Sequence, residues 1–193
     1  MKDPSSRPAR LGSSLIGNAG EYFVLAELLR RGIVAALAPR NMPDYDILAV
    51  DGTQSLKIRV KTKTSRADSF VWNVKPDGRI FGSATKNDVA VLVDLGNLEA
   101  PIFYALKVRD LESKMKKWYD EWLAAPGRGG RKRGETRTRR LFPKWQGQFD
   151  EESQSYEYER GHFEQYEGEK AWELIEHMLG RIGEQTGDEG TQR

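Results

Sequence analysis

Apolar and polar residues alternate through SLKIRVKTKTS (55–65), which sends Ile58 and Val60 one way and Lys57, Arg59, Lys61 and Lys63 the other. Alternation of this kind predicts a β-strand, here with one apolar and one strongly cationic face. YDILAV (45–50) predicts the strand before it, and DGTQ between them reads as a hairpin turn. SFVWNV (69–74), DVAVLVDL (88–95) and IFYALKV (102–108) predict further strands. DVAVLVDL is apolar through its middle, so it belongs inside the sheet. Helices are predicted on either side of the strands. Ser13 or Ser14 can cap a helix running to about Arg31, with Gly32 as its stop. A second helix is predicted from Asp110 to Ala125, where Leu111, Met115, Trp118 and Trp122 recur at intervals of three and four, and KAWELIEHMLGRI (170–182) predicts a closing helix.

The order of elements is a helix, a mostly antiparallel set of strands, then helices. The expected class is α+β or mixed α/β, a central mixed β-sheet in one layer flanked by helices. A chain of 193 residues suits one domain, expected over 13–182, with a disordered leader at 1–12 and a flexible tail at 183–193.

Composition adds charge to this picture. Charged residues make up 31% of the chain, yet the net charge is only +2. The balance conceals two blocks. Seven cations and one acid, Glu135, lie between Gly127 and Arg140, and the stretch 126–140 is a loop by composition. Eight acids and one cation, Arg160, lie between Asp150 and Glu169. Such blocks mark interaction surfaces or exposed connections more than fold. The acidic segment 150–169 is expected as an exposed connection, with folding back onto the basic loop as the alternative. The absence of cysteine excludes disulfides, thiolate nucleophiles and Cys-ligated metal sites. The longest apolar run, Ile33 to Ala38, is far short of the ~20 residues that span a bilayer, and a cytoplasmic protein is expected.

Candidate chemistry begins with Glu21. Gly17, Asn18, Val24 and Leu25 are its helical neighbours, so no local cation offsets it, whereas Glu27 has Arg30 and Arg31 one turn on. Gly17 and Gly20 thin the helix around Glu21 and allow close approach. Such a glutamate is also compatible with simple solvation near a helix start. In NMPDYDILAV, Asp44 and Asp46 share a face at the mouth of a strand, where acids are otherwise depleted. The hairpin then sets Lys61 beside them. One or two carboxylates are what Mg²⁺ takes from a protein, with water and phosphate oxygens completing its shell.

The pattern GNAGEYFVLAELLRRG … PDYDILAV … IRVKTKT resembles the PD-(D/E)XK nuclease superfamily, in its archaeal Holliday junction resolvase-like branch, over roughly residues 14–65. The resemblance implies a restriction endonuclease-like core and metal-dependent cleavage of DNA by Mg²⁺ or Mn²⁺. It assigns Glu21, Asp46 and Lys61 as catalytic, with Asp46 and Glu21 holding the metal and Lys61 assisting the nucleophile. Asp44, the literal Asp of the Pro-Asp pair, competes with Asp46, which heads the strand. Nucleic-acid contacts are expected from Lys57, Arg59 and Lys63 on the strand and from Arg128, Arg131, Lys132 and Arg133 in the loop, because lysine and arginine neutralise phosphates regardless of sequence.

Arg59 departs from the pattern. Relatives carry an oxygen-bearing side chain there, and a guanidinium has donors only. A unit charge about 4 Å from a dication costs about 8 kcal/mol at an effective dielectric of about 20. Two expectations follow. Either Arg59 swings toward a phosphate and the protein is a weakened nuclease, with the Val60 carbonyl as substitute ligand, or Arg59 ion-pairs with Asp46 or Glu21 in place of the metal. The second case leaves a DNA-binding module that needs no cofactor. A third reading is a partner-binding protein whose charge blocks meet another protein, and a homodimer is also open.

The remaining signals have plainer explanations. Trp72, Trp118 and Trp122 fit core packing. His162 and His177 lack metal-ligand spacing, GNAG lacks the flanking helix of a nucleic-acid-binding GxxG loop, and no phosphate-binding GxxxxGK[ST] loop exists.

Overall fold

The computed structural model describes residues 12–39, 42, 44–64, 67–82, 85, 87–96, 99–143, 145–150, 155–160 and 163–182, the side chains of 128, 145–150 and 155–160 excepted. The expected leader (Gly12 aside), the expected tail, His162 and much of the acidic segment lie outside the described residues.

Helix α1 (Ser13–Arg30) has Gly12 at its N-cap and no side-chain cap, so neither serine takes the capping role expected of it. Gly32 ends the helix as anticipated, at φ 72°, a left-handed backbone that costs glycine nothing. Its amide and that of Ile33 turn back to the Leu29 and Leu28 carbonyls. The chain then enters β1 (Val34–Leu37), drawn from the apolar run that follows Gly32. Strands β2 (Ile47–Asp51) and β3 (Gln54–Thr64) form the expected hairpin, turning through Gly52 at φ 54°. Next come β4 (Phe70–Asn73), β5 (Asp88–Leu95), β6 (Ile102–Lys107) and α2 (Val108–Ala124). The described chain continues through β7 (Thr138–Leu141), β8 (Trp145–Asp150), β9 (Ser155–Arg160) and α3 (Glu169–Met178).

Five strands make a mixed sheet in the order β1-β2-β3-β5-β6. Its neighbours pair antiparallel except β3 and β5, which run parallel. A parallel pair needs a long crossover, and the segment that supplies it contains β4. That strand does not join the main sheet, contrary to the single layer expected. It pairs with β7 in a two-stranded ribbon. The basic stretch is therefore not all loop: its end forms a strand, with Leu141 buried and the arginines before it more exposed. β8 and β9 pair as a separate hairpin that reaches into the acidic region.

β5 is buried along almost its whole length, and its alternation divides the core. Val89, Val91 and Val93 pack with Leu28 of α1, Ile58 of β3, and Trp172 and Ile175 of α3. Ala90 and Leu92 pack on the other side with Leu111 and Met115 of α2 and with Phe70, Trp72 and Leu141 of the ribbon. Each buried aliphatic side chain contributes about 1.5–3 kcal/mol, so the two clusters clamp the sheet from both sides. α1 and α3 cover one face, α2 and the β4–β7 ribbon the other. No described helix is long and apolar enough to cross a membrane.

Candidate active site

Strand β3 sends Leu56 and Ile58 into the α1 side of the core. Its four cations therefore face the ribbon side, and each meets an aromatic ring. Lys57 lies 5.7 Å from the Tyr45 centroid, Arg59 5.0 Å from Phe81, Lys61 5.6 Å from Trp72 and Lys63 5.7 Å from Phe70. A cation over a ring gains about 0.5–2 kcal/mol, most where water is excluded. The cationic face is thus an inner surface, stacked against the aromatic side chains that cover it.

Two carboxylates on the parallel neighbour offset the charge. The β3–β5 register sets Lys57 opposite Asp88 and Lys63 opposite Asp94. Lys63 and Asp94, both nearly fully buried, bridge at 2.5 Å, and Lys63 also donates to the Ala67 carbonyl. Asp88 accepts from the Thr85 hydroxyl and lies 3.7 Å from Arg59. Arg59 is also 3.9 Å from Asp44. The Arg59 charge also acts on Asp46, one of the two partners expected for it. Arg59 is 8% exposed and lies over Phe81, a placement that binds it into the wall rather than sending it outward. Asp88 and Asp94 were missed in the sequence, although an acid at each end of DVAVLVD has the same six-residue separation as Lys57 and Lys63.

Between these pairs lies a cavity of about 100 Å³, lined by Asp46, Arg59, Val60, Lys61, Trp72 and Phe81 among others. Asp46 precedes β2, and its amide donates to the Ile58 carbonyl. Its side chain reaches back to β3, where Oδ2 accepts the Val60 N–H at 2.7 Å. Asp46 thereby continues the ladder where β2 has stopped pairing. Burial pushes its carboxyl above the usual range, offset by the Val60 N–H and by the Arg59 and Lys61 charges. Burial likewise pushes the Lys61 ammonium below its usual range, offset by Asp46. The structure brings these two expected residues into one cavity, each with its charged form disfavoured by lost water.

Glu21 approaches from α1. Gly20 beside it lies so close to Thr62 of β3 that an added Cβ would sit 1.9 Å from the hydroxyl oxygen. The helix therefore crosses β3 at the residue next to Lys61, and Glu21 is half-buried there. Arg131 and Lys132 are exposed on the basic segment, Arg133 lies against Trp122, and the Arg128 side chain is outside the described residues. Trp118 packs beside the second core cluster as expected. Trp122 does not belong to that core: it stacks on Tyr119.

The donor set suits a hard divalent ion in a minimal form. No group of three or more acids or histidines is poised to share a metal among the described residues. Asp46, however, is a carboxylate whose charge is only partly compensated. The N–H and C=O of one strand residue leave on the same edge, so the Val60 carbonyl departs β3 on the side where its N–H meets Asp46. One carboxylate and one carbonyl, with water and a substrate phosphate, match what Mg²⁺ takes from proteins.

No protein-family model matches the chain, and neither does any curated protein. Among solved structures it is similar to the bacterial homing endonuclease I-Ssp6803I, at 18% identity and a TM-score of 0.48, over 88% of this chain and 93% of that one. It is also similar to Hjc of Archaeoglobus fulgidus, a Holliday junction resolvase from an archaeal hyperthermophile. That match is at 17% identity and a TM-score of 0.36, over 65% of this chain and 83% of that one.

Proposed function

We propose that the protein acts on nucleic acid, with DNA as substrate, and hydrolyses phosphodiester bonds in the Asp46–Lys61 cavity with the help of Mg²⁺ or Mn²⁺. The observation that carries this reading is Asp46 itself. One of its oxygens is fixed by a backbone amide, and its charge is disfavoured by burial beside a desolvated lysine. Asp46 and the Val60 carbonyl would hold the ion, and Glu21 would reach its waters from α1. A bound divalent ion supplies Lewis acidity and acidifies a coordinated water.

The chain's own groups do the rest. Lys61 orients the attacking water and offsets charge that develops on the phosphate. Trp72 and Phe81 wall the cavity and exclude bulk water, which strengthens every charge interaction inside it. Arg59 adds a permanent positive charge to the wall, with Asp44 and Asp88 as its ion-pair partners. The competing reading, a catalytically impaired DNA-binding module, draws support from the field that Arg59 exerts on Asp46. Arg59's pairing with Asp44 and Asp88 favours the enzyme. Lys63, held in its buried bridge to Asp94, is left out of the phosphate contacts.

Calorimetric titration with Mn²⁺ and nicking of supercoiled plasmid test the proposal together. Wild type should bind the ion and nick the plasmid. Asp46→Ala should lose both, and Lys61→Ala should bind metal but lose cleavage. Metal binding unchanged in Asp46→Ala would refute the assignment. DNA binding without metal uptake by wild type would establish the competing reading.

A further inference from the structure

Helix α2 leaves two aromatic side chains outside the core. Tyr119 and Trp122 stack with ring centroids 5.7 Å apart and planes 28° apart. Arginine closes each end of the stack. The Arg133 guanidinium carbon lies 4.9 Å from the Trp122 ring centre, and that of Arg139 lies 3.2 Å from Tyr119. The result is a column in the order Arg133, Trp122, Tyr119, Arg139.

Backbone contacts lock this column in place. Arg133 Nη1 donates to the Trp122 carbonyl at 2.7 Å, and Arg139 Nη1 donates to the Thr136 carbonyl at 2.6 Å. The Tyr119 hydroxyl accepts the Thr136 N–H at 2.7 Å and donates to the Thr136 carbonyl at 3.2 Å. A segment expected to be a solvated loop is therefore strapped along α2, with Arg131, Lys132 and Arg137 exposed on it. Among the described residues, no carboxylate forms an ion pair with Arg131, Lys132, Arg137, Arg139 or Arg140. On α2 itself, by contrast, Lys116 is neutralised by Asp120 one turn on.

Its position fits the cavity. In the β4–β7 ladder, Arg139 is the partner of Trp72, and Trp72 lines the Asp46–Lys61 cavity. The end of the strap is thus one strand away from the cavity wall. Cations that form no ion pair among the described residues, Arg131, Lys132, Arg137, Arg139 and Arg140, match a phosphate backbone, because each phosphate neutralised releases a condensed counterion. Arginines already held against rings lose little further freedom when a phosphate arrives.

We propose that the strapped segment 131–140 is the docking surface for the backbone of a DNA duplex that enters the cavity, and that Tyr119 and Trp122 are positioning residues for it. They act through Arg139 and Arg133 without touching DNA. This rests on the nucleic-acid reading above and adds the surface and the aromatic clamp to it.

Fluorescence anisotropy of a labelled DNA duplex across a salt series tests the proposal. In the triple variant Arg131→Gln/Lys132→Gln/Arg137→Gln, all on exposed side chains, the slope of log affinity against log salt should become shallower by about 0.9 for each phosphate that the variant no longer neutralises. Tyr119→Leu/Trp122→Leu leaves net charge unchanged and should still weaken binding about tenfold at low salt, as expected when preorganisation is lost. Circular dichroism and the Mn²⁺ titration confirm that each variant is folded. Wild type that binds no duplex sinks the nucleic-acid reading itself. Wild type that binds while the triple variant binds equally, with the same slope, overturns the strap alone. Equal affinity for polyglutamate overturns its assignment to nucleic acid.

Discussion

Replacing Gly20 with alanine probes the contact that sets α1, and Glu21 with it, against β3. In an unconstrained helix interior this change stabilises by about 1 kcal/mol, since glycine is the poorer helix former. Here the new Cβ would lie 1.9 Å from Thr62 Oγ1 and 3.0 Å from both Cβ and Cγ2 of the same residue. Rotating the threonine brings only partial relief, because the Cβ that carries its methyl and hydroxyl stays at 3.0 Å in every rotamer. Forcing a methyl into a packed site costs about 1–3 kcal/mol. The steric cost outweighs the gain in helix propensity, and Gly20→Ala should lose about 1 kcal/mol net. Thr62→Ala in the same chain removes the hydroxyl and the methyl and leaves only the Cβ contact at 3.0 Å. That hydroxyl is buried without a hydrogen-bond partner among the described residues, an atom whose loss leaves no donor stranded. The double variant should recover most of the loss, a coupling of about 1 kcal/mol between touching residues. Urea denaturation followed by circular dichroism reads all four corners of the cycle. A Gly20→Ala variant more stable than wild type, or strictly additive effects, would refute the argument that backbone contact with β3 dictates glycine here.

Four further outcomes follow from the inner cation face. Asp94→Asn strands the Lys63 ammonium in a site where both side chains are under a tenth exposed, and should cost about 3–5 kcal/mol by denaturation; Lys63→Met/Asp94→Leu should recover most of it. Asp46→Asn should stabilise the fold near neutral pH, because a carboxyl whose folded pKa is raised destabilises the native state once it ionises. That gain should vanish as the pH falls below the ordinary carboxylate range, where Asp46 is protonated folded or unfolded, and denaturation midpoints at several pH values would show it. Metal uptake should strengthen as pH rises through the same carboxyl's titration, since proton and cation compete for it. Arg59→Gln should raise Mn²⁺ affinity by about tenfold, some 1.4 kcal/mol, by removing a charge that acts on Asp46; unchanged affinity in calorimetry would show that Asp44 and Asp88 already cancel it.

Elements with a strong period were legible. The alternation of SLKIRVKTKTS, the apolar DVAVLVDL and the three- and four-residue spacing of α2 each appear close to where they were expected. The β7 strand was not, because most of its residues are polar or cationic and only Leu141 is buried in it. Asp46 was singled out because acids are depleted from strands, and Lys61 through the resemblance of its strand to a known motif; both line one cavity. Asp88, Asp94 and Tyr119 were not, because their partners lie on other elements.

Local signals, which need only a chain and its immediate neighbours, determined by themselves that a cationic strand would follow a hairpin and that a helix ending at Gly32 would carry Glu21. What the cations face was a question of tertiary structure alone. The parallel pairing of β3 with β5 delivers Asp88 and Asp94, and the β4–β7 ribbon lays aromatic rings over a surface that looks solvent-facing in one dimension. Charge on a strand announces only that it must be compensated; which carboxylate or ring compensates it depends on residues brought near from elsewhere in the chain. That difference separates Lys63, locked in a bridge, from Lys61, left beside Asp46 in the cavity.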